Sequence, residues 1–170
     1  PDYKILVAGY SLRSNTRRGL ILRLNANGSL DQSFGEAGVV EFFGIGLSSF
    51  TDLLGIKVHT YGSIYVAGTI VSARMEKAIV KKFNSNGIAH GTYGTNSVAT
   101  IVFDVANSRN YGDDLEVMAD GSVLLLGSYF VSRMQTALAK LTSTRTLDPQ
   151  FTGQGKTFFD FTTGQNYARK

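Results

Sequence analysis

Apolar residues occur in short runs along the whole chain, some alternating with polar positions and some continuous, each ended by Gly, Asn or Asp. Runs of that length with such punctuation predict strands, and no stretch sustains a 3.6-residue apolar period with caps, so almost no helix is expected. The runs also repeat. Val7-Ala8-Gly9 returns as Val66-Ala67-Gly68 and as Leu125-Leu126-Gly127, the glycine advancing by 59 residues each time. Phe34-Gly35 returns as Tyr93-Gly94 and then as Phe151-Thr152. Asn25-Ala26-Asn27-Gly28 returns as Asn84-Ser85-Asn86-Gly87 and decays to Thr142-Ser143-Thr144-Arg145, and a basic residue inside an apolar stretch recurs as Arg23, Lys82 and Lys140. Agreement of several columns over three copies marks a repeat architecture.

Each unit reads as four short strands. The first spans 53–58 in the second copy and 115–118 in the third, ending at Tyr61-Gly62 or Asp120-Gly121, where a hairpin turn needing positive φ is expected. The second carries the Val-Ala-Gly column, over 5–10, 64–70 and 123–130. The third covers 20–24, 79–83 and 137–141, closed in two copies by Asn27-Gly28 and Asn86-Gly87. The fourth covers 39–43, 98–103 and 157–161. Repeats are thus placed at about 1–43, 52–103 and 113–161, within a single repeat domain over 1–170. The predicted fold is all-β, a partial β-propeller of about three four-stranded antiparallel blades. A β-solenoid is the alternative, although its coils are shorter and do not need two hairpin turns each.

The succession Leu22-Arg23-Leu24-Asn25, Gly28, Leu30-Asp31, Phe34-Gly35 and Gly38 resembles the delta-60 repeat, a bacterial β-propeller-like family. The second copy has His90 for the aspartate and Ser97 for the last glycine; the third has Arg145 at the turn glycine and Thr152 after Phe151, and keeps Leu147-Asp148 and Gly155. The resemblance implies a propeller in a secreted or cell-surface bacterial protein and carries no catalytic residues. Pro1-Asp2-Tyr3 aligns with the turn after a first strand, and Asn166-Tyr167 echoes Asn110-Tyr111 at the start of one. The chain is therefore expected to be a fragment of a longer one, with eleven strands and an open edge at each end, completed by further blades or by self-association.

Composition narrows the chemistry. The 170 residues suffice for one compact domain. No apolar run approaches the roughly 18 residues of a membrane helix, so no membrane span is expected. With no cysteine, thiolate metal sites, iron–sulfur clusters and a cysteine nucleophile are excluded. His59 and His90 have no second histidine at ligand spacing, and Asp113-Asp114 near Asp104 lacks the alternating oxygen ligands of a calcium loop, so no metal or other cofactor is expected. There is no Gly-x-Ser-x-Gly elbow and no phosphate-cradling glycine motif. The aromatic column Phe34, Tyr93 and Phe151 is expected to pack between blades. Arg23, Lys82 and Lys140 are expected to be structural, pairing with Asp31 and Asp148 where these are present.

The net charge of +4 is too small to require nucleic acid. Its distribution is uneven. The connections 11–18, 71–77 and 131–136, between second and third strands, carry Arg13, Arg17, Arg18, Arg74, Lys77 and Arg133 against Glu76 alone. In a propeller these connections emerge on one face, which makes the six cations a candidate binding surface for an anionic glycan or protein partner; a merely solvated rim is the plainer reading. The expected function is a non-enzymatic scaffold or recognition module, and the alternative is a propeller-based hydrolase or lyase acting on a polysaccharide.

Overall fold

Two glycine columns explain how the strands come together. A Cβ on Gly68 would lie 2.0 Å from the Asp52 carbonyl oxygen, and one on Gly127 would lie 2.4 Å from that of Tyr111, one repeat further on. Only a residue without a side chain lets the second strand of a unit pass so close to the first. The computed structural model describes residues 3–43, 50–72, 75–91, 98–103 and 109–160. These form eleven strands: β1 (Ile5–Arg13), β2 (Thr16–Leu24), β3 (Val39–Phe42), β4 (Phe50–Val58), β5 (Ile64–Ser72), β6 (Met75–Phe83), β7 (Val98–Ile101), β8 (Arg109–Val117), β9 (Val123–Phe130), β10 (Met134–Leu141) and β11 (Lys156–Phe159).

The strands make three antiparallel sheets in simple sequence order: β1-β2-β3, then β4-β5-β6-β7, then β8-β9-β10-β11. The protein is all-β, with no helix among the described residues and therefore none there long and apolar enough to cross a membrane. The three sheets do not close on themselves. The strand positions match the sequence reading, but their lengths differ systematically. β4 and β8 start upstream of 53 and 115 because each contains a β-bulge, between Leu53 and Gly55 and between Gly112 and Asp114. A bulge shifts the two-residue alternation by one, which breaks the pattern at the place where the strand continues.

The connections 11–18, 71–77 and 131–136 are mostly strand rather than loop. β1 and β2 pair as far as Arg13 and Thr16 around Ser14-Asn15, whose φ values of 48° and 59° suit a two-residue hairpin. β5 and β6 pair out to Ser72 and Met75. Polar residues on strands that project past the core hide this pairing from hydrophobic patterning. The Gly62, Gly121, Gly28 and Gly87 turns are larger than two-residue hairpins. In each, five residues separate the paired strand residues, and a bond such as that from His59 N–H to the Ser63 carbonyl, 2.8 Å, encloses the middle three. Thr142–Thr146 forms the same turn with Arg145 at φ 75° in the glycine position.

The middle sheet is buried on both faces, which accounts for its near-continuous apolar runs. Toward the first sheet, Ile64, Val66, Ile79, Phe83 and Val98 pack with Ile21 and Phe34. Toward the last, Tyr65, Ala67, Val80, Ile101 and Phe103 pack with Leu115, Val123, Leu125, Ala137 and Leu141. Phe34 is fully buried, and a Cβ on Gly87 would lie 2.8 Å from its ring. Gly35 N–H also donates to the Asn86 carbonyl at 2.9 Å. The aromatic column thus packs between sheets at Phe34, as expected; Tyr93 lies outside the described residues, as do Asp104 and 161–170.

Arg23 and Lys140 hold the turn that leads to the fourth strand. Arg23 Nε lies 2.8 Å from Asp31 Oδ2, and Lys140 Nζ lies 2.9 Å from Asp148 Oδ2. In both copies the basic residue accepts a backbone bond from the aspartate, and the aspartate carbonyl accepts one from Phe34 or Phe151. Asp31 also accepts from Ser33 N–H and Oγ and faces Lys4 at 3.2 Å. Ser33 first, then Lys4 and Arg23, hold its carboxyl well below the usual carboxylate range. With His90 in place of the aspartate, the backbone bond to Lys82 survives at 3.0 Å, and the Lys82 ammonium lies 5.1 Å from the Tyr65 ring centroid.

Candidate functional site

The hairpins β1–β2, β5–β6 and β9–β10 run to one edge of the molecule, where side chains join the sheets. Arg17 on β2 reaches Asp52 on β4 at 2.7 Å, and Arg109 on β8 reaches Glu76 on β6 at 3.4 Å. Tyr111 on β8 donates its hydroxyl to Glu76 at 2.7 Å. Burial, reinforced by this carboxylate, pushes the Tyr111 hydroxyl pKa up to about 12, so it stays a hydrogen-bond donor at any physiological pH.

These residues line a cleft of about 380 Å³ to which all three sheets contribute: Arg17 from the first, Asp52, Leu54, Thr69, Val71 and Glu76 from the middle, Tyr111 from the last. Leu54 is the bulged residue of β4 and is largely exposed, so the bulge aims an apolar side chain at the cleft. Asp52 Oδ1 is buried without a hydrogen-bond partner. The cleft thus presents the Asp52 carboxylate, a guanidinium, a half-buried phenol and an apolar wall. That mixture suits a ligand with several hydroxyls around an apolar ring face.

The six cations expected to form a binding surface are not gathered into one pocket, and Arg17 alone lines the cleft. Arg13 and Arg18 share Glu41, at 3.2 and 3.7 Å. The Arg18 guanidinium also lies 4.6 Å from the Phe43 ring centroid, and that of Arg17 lies 4.6 Å from Tyr10. Arg133 pairs with Asp160 on the last sheet. Lys77 sits on β6 opposite Ile70, with no ion pair among the described residues. Arg74 lies outside the described residues.

Glu41, Asp52 and Asp160 lie outside the connections 11–18, 71–77 and 131–136, on neighbouring strands or just beyond them. A charge sum over connections alone gives +5. Pairing across the edge offsets much of it, so the long-range field is weaker than the connections suggest. The sequence did hold a signal for the cleft: Asp52 and Tyr111 occupy one column of the 59-residue repeat.

His59 takes a structural role, and His90 is tied by its backbone N–H to the Lys82 carbonyl. His59 Nε2 lies 3.2 Å from the Ala119 carbonyl, and its ring packs 5.3 Å from that of Tyr61. Asp113, the bulged residue of β8, accepts from Ser128 Oγ at 2.9 Å, and burial raises its carboxyl pKa. No group of three or more potential metal ligands occurs among the described residues.

None of the curated proteins compared with this chain matches it. A family model described as "Domain of unknown function (DUF5122) beta-propeller" matches residues 1–34, a stretch that holds β1, β2 and the turn as far as the buried Phe34. Over that stretch the chain is similar to a propeller-like repeat family, in agreement with its three successive antiparallel sheets.

Proposed function

We propose that this chain is a non-enzymatic β-propeller module of the delta-60 type, a scaffold and recognition unit of a secreted or surface bacterial protein. Its partner would be an anion-bearing glycan or protein bound along the hairpin edge. The observation that carries this reading is the cleft shared by all three sheets, with Arg17 inside it; Arg13 and Arg18, paired with Glu41, lie at the same end of the first sheet on its other face. Exposed ion pairs contribute little to stability, so a carboxylate or sulfate on a ligand can replace Glu41 or Asp52 as the partner of these arginines at small cost. Attraction of this kind fades as salt rises.

The test is retention on heparin and on an acidic polysaccharide at low salt, comparing the parent with Arg13→Ser/Arg17→Ser/Arg18→Ser. The parent is expected to be retained and the triple variant to elute early. Unchanged retention would eliminate this edge as the binding surface. A hydrolase or lyase is the second reading, favoured by Asp52 and Glu76 lining one cleft. New reducing ends or unsaturated products, abolished by Asp52→Asn or Glu76→Gln, would establish it in place of the binding module.

A further inference from the structure

The two outer faces of the stack are the two halves of the interface that already joins its sheets. In the middle and last sheets, the face toward the preceding sheet is sealed: Ile64 is 2% exposed, and Val66, Val123 and Leu125 are 0% exposed. The same columns in the first sheet are Ile5 and Val7, 47% and 43% exposed, flanked by half-buried Leu20 and Leu22. The opposite face shows the reverse. Ala67 and Val80 of the middle sheet are fully buried under the last sheet, whereas their counterparts Leu126 and Leu138 are half-buried. Phe34 is sealed by the Gly87 turn, and its counterpart Phe151 is half-buried.

We propose that two copies of this chain associate head to tail, the outer face of the last sheet of each packing on the outer face of the first sheet of the other. Both surfaces are repeats of the internal interface, so the second copy continues a packing already made twice within the chain. The turn geometry agrees. Gly35, which donates to the Asn86 carbonyl across the internal interface, has φ 53°, and Thr152 in the same place has φ 52°. Gly87 lies against the Phe34 ring, while its counterpart Gly28 has nothing within 4 Å of its Cβ position and is free to receive Phe151 of the second copy. Arg23 bonds the Ser85 carbonyl of the next sheet, and Lys140 stands in the same column, opposite Ala26 of the incoming copy. Two copies of the three described sheets make six, inside the usual propeller range of about 4 to 8. A head-to-tail contact that closes limits the assembly to a dimer instead of an open filament.

The experiment is mass measurement by light scattering at micromolar to millimolar concentration, with circular dichroism as the control for folding. The wild-type chain is expected at twice 18.4 kDa. Val7→Lys/Leu20→Lys blocks the first face and Leu126→Lys/Leu138→Lys the last, and each variant alone is expected to be monomeric. A folded wild-type monomer over the whole range would overturn the proposal. A variant blocked on one face that still dimerises alone would also overturn it, since that indicates like-to-like pairing.

Discussion

Phe34 and Phe151 occupy the same place in equivalent turns, each following a basic-residue–aspartate pair and each with its carbonyl bonded to the glycine four residues on. Yet Phe34 is fully buried and Phe151 is not. The local chain makes the same turn in both sheets; what differs is the neighbour. The Asn84–Gly87 turn of the middle sheet covers Phe34, and no counterpart among the described residues covers Phe151. An aromatic column therefore reports a packing site, and its contribution to stability is decided by the next sheet.

The largest contrast is expected from truncating the two rings. Phe34→Ala opens a cavity in a sealed interface and should cost about 3–5 kcal/mol in urea unfolding. Phe151→Ala should cost less than half as much in the monomeric Val7→Lys/Leu20→Lys background. Equal losses at both positions would mean that the turn itself, not the covering sheet, sets the value of the ring.

The glycine column allows the comparison to be made from the backbone side. Gly68→Ala forces a Cβ onto the Asp52 carbonyl and should destabilise by about 1–3 kcal/mol. Gly9→Ala places its Cβ where nothing lies within 4 Å, and removing a strand glycine there should be neutral or stabilise by about 0.5–1 kcal/mol. Thermal unfolding of the two variants should shift in different directions, and a shared loss would refute the role of the first strand as the close neighbour.

The smallest effect concerns the turn charges. The Asp31 carboxylate is favoured in the folded state, so its protonation favours unfolding. Its stabilisation should be complete above the ordinary value of 3.8 and be lost as pH falls through that value toward the lower folded one. Asp31→Asn should therefore weaken the protein near neutrality and become indistinguishable from wild type in strong acid. Asp148→Asn should act in the same direction but more weakly, having Lys140 and one backbone bond in place of the Lys4, Arg23 and Ser33 cluster. Parallel curves for Asp31→Asn and wild type at every pH would exclude this linkage.

Much of the architecture was legible in the sequence because it is local and repeated. The 59-residue step, the eleven strands, the sheet order and the pairing of Arg23 with Asp31 and Lys140 with Asp148 all follow from residues close together in the chain. The bulges in β4 and β8 were not legible, since a single inserted residue looks like the end of a strand. The candidate site was half visible. Its arginines stood out by type, while Asp52, Glu76 and Tyr111 became partners only through packing between sheets and Glu41 through strand pairing within the first sheet. Local pattern fixes which backbone pairs with which, because antiparallel neighbours joined by short turns meet over short sequence distances. The stacking of sheets decides burial, the bonds from sheet to sheet and the cleft, because these depend on side chains far apart in the chain, such as Arg17 with Asp52 and Tyr111 with Glu76, each 35 residues apart.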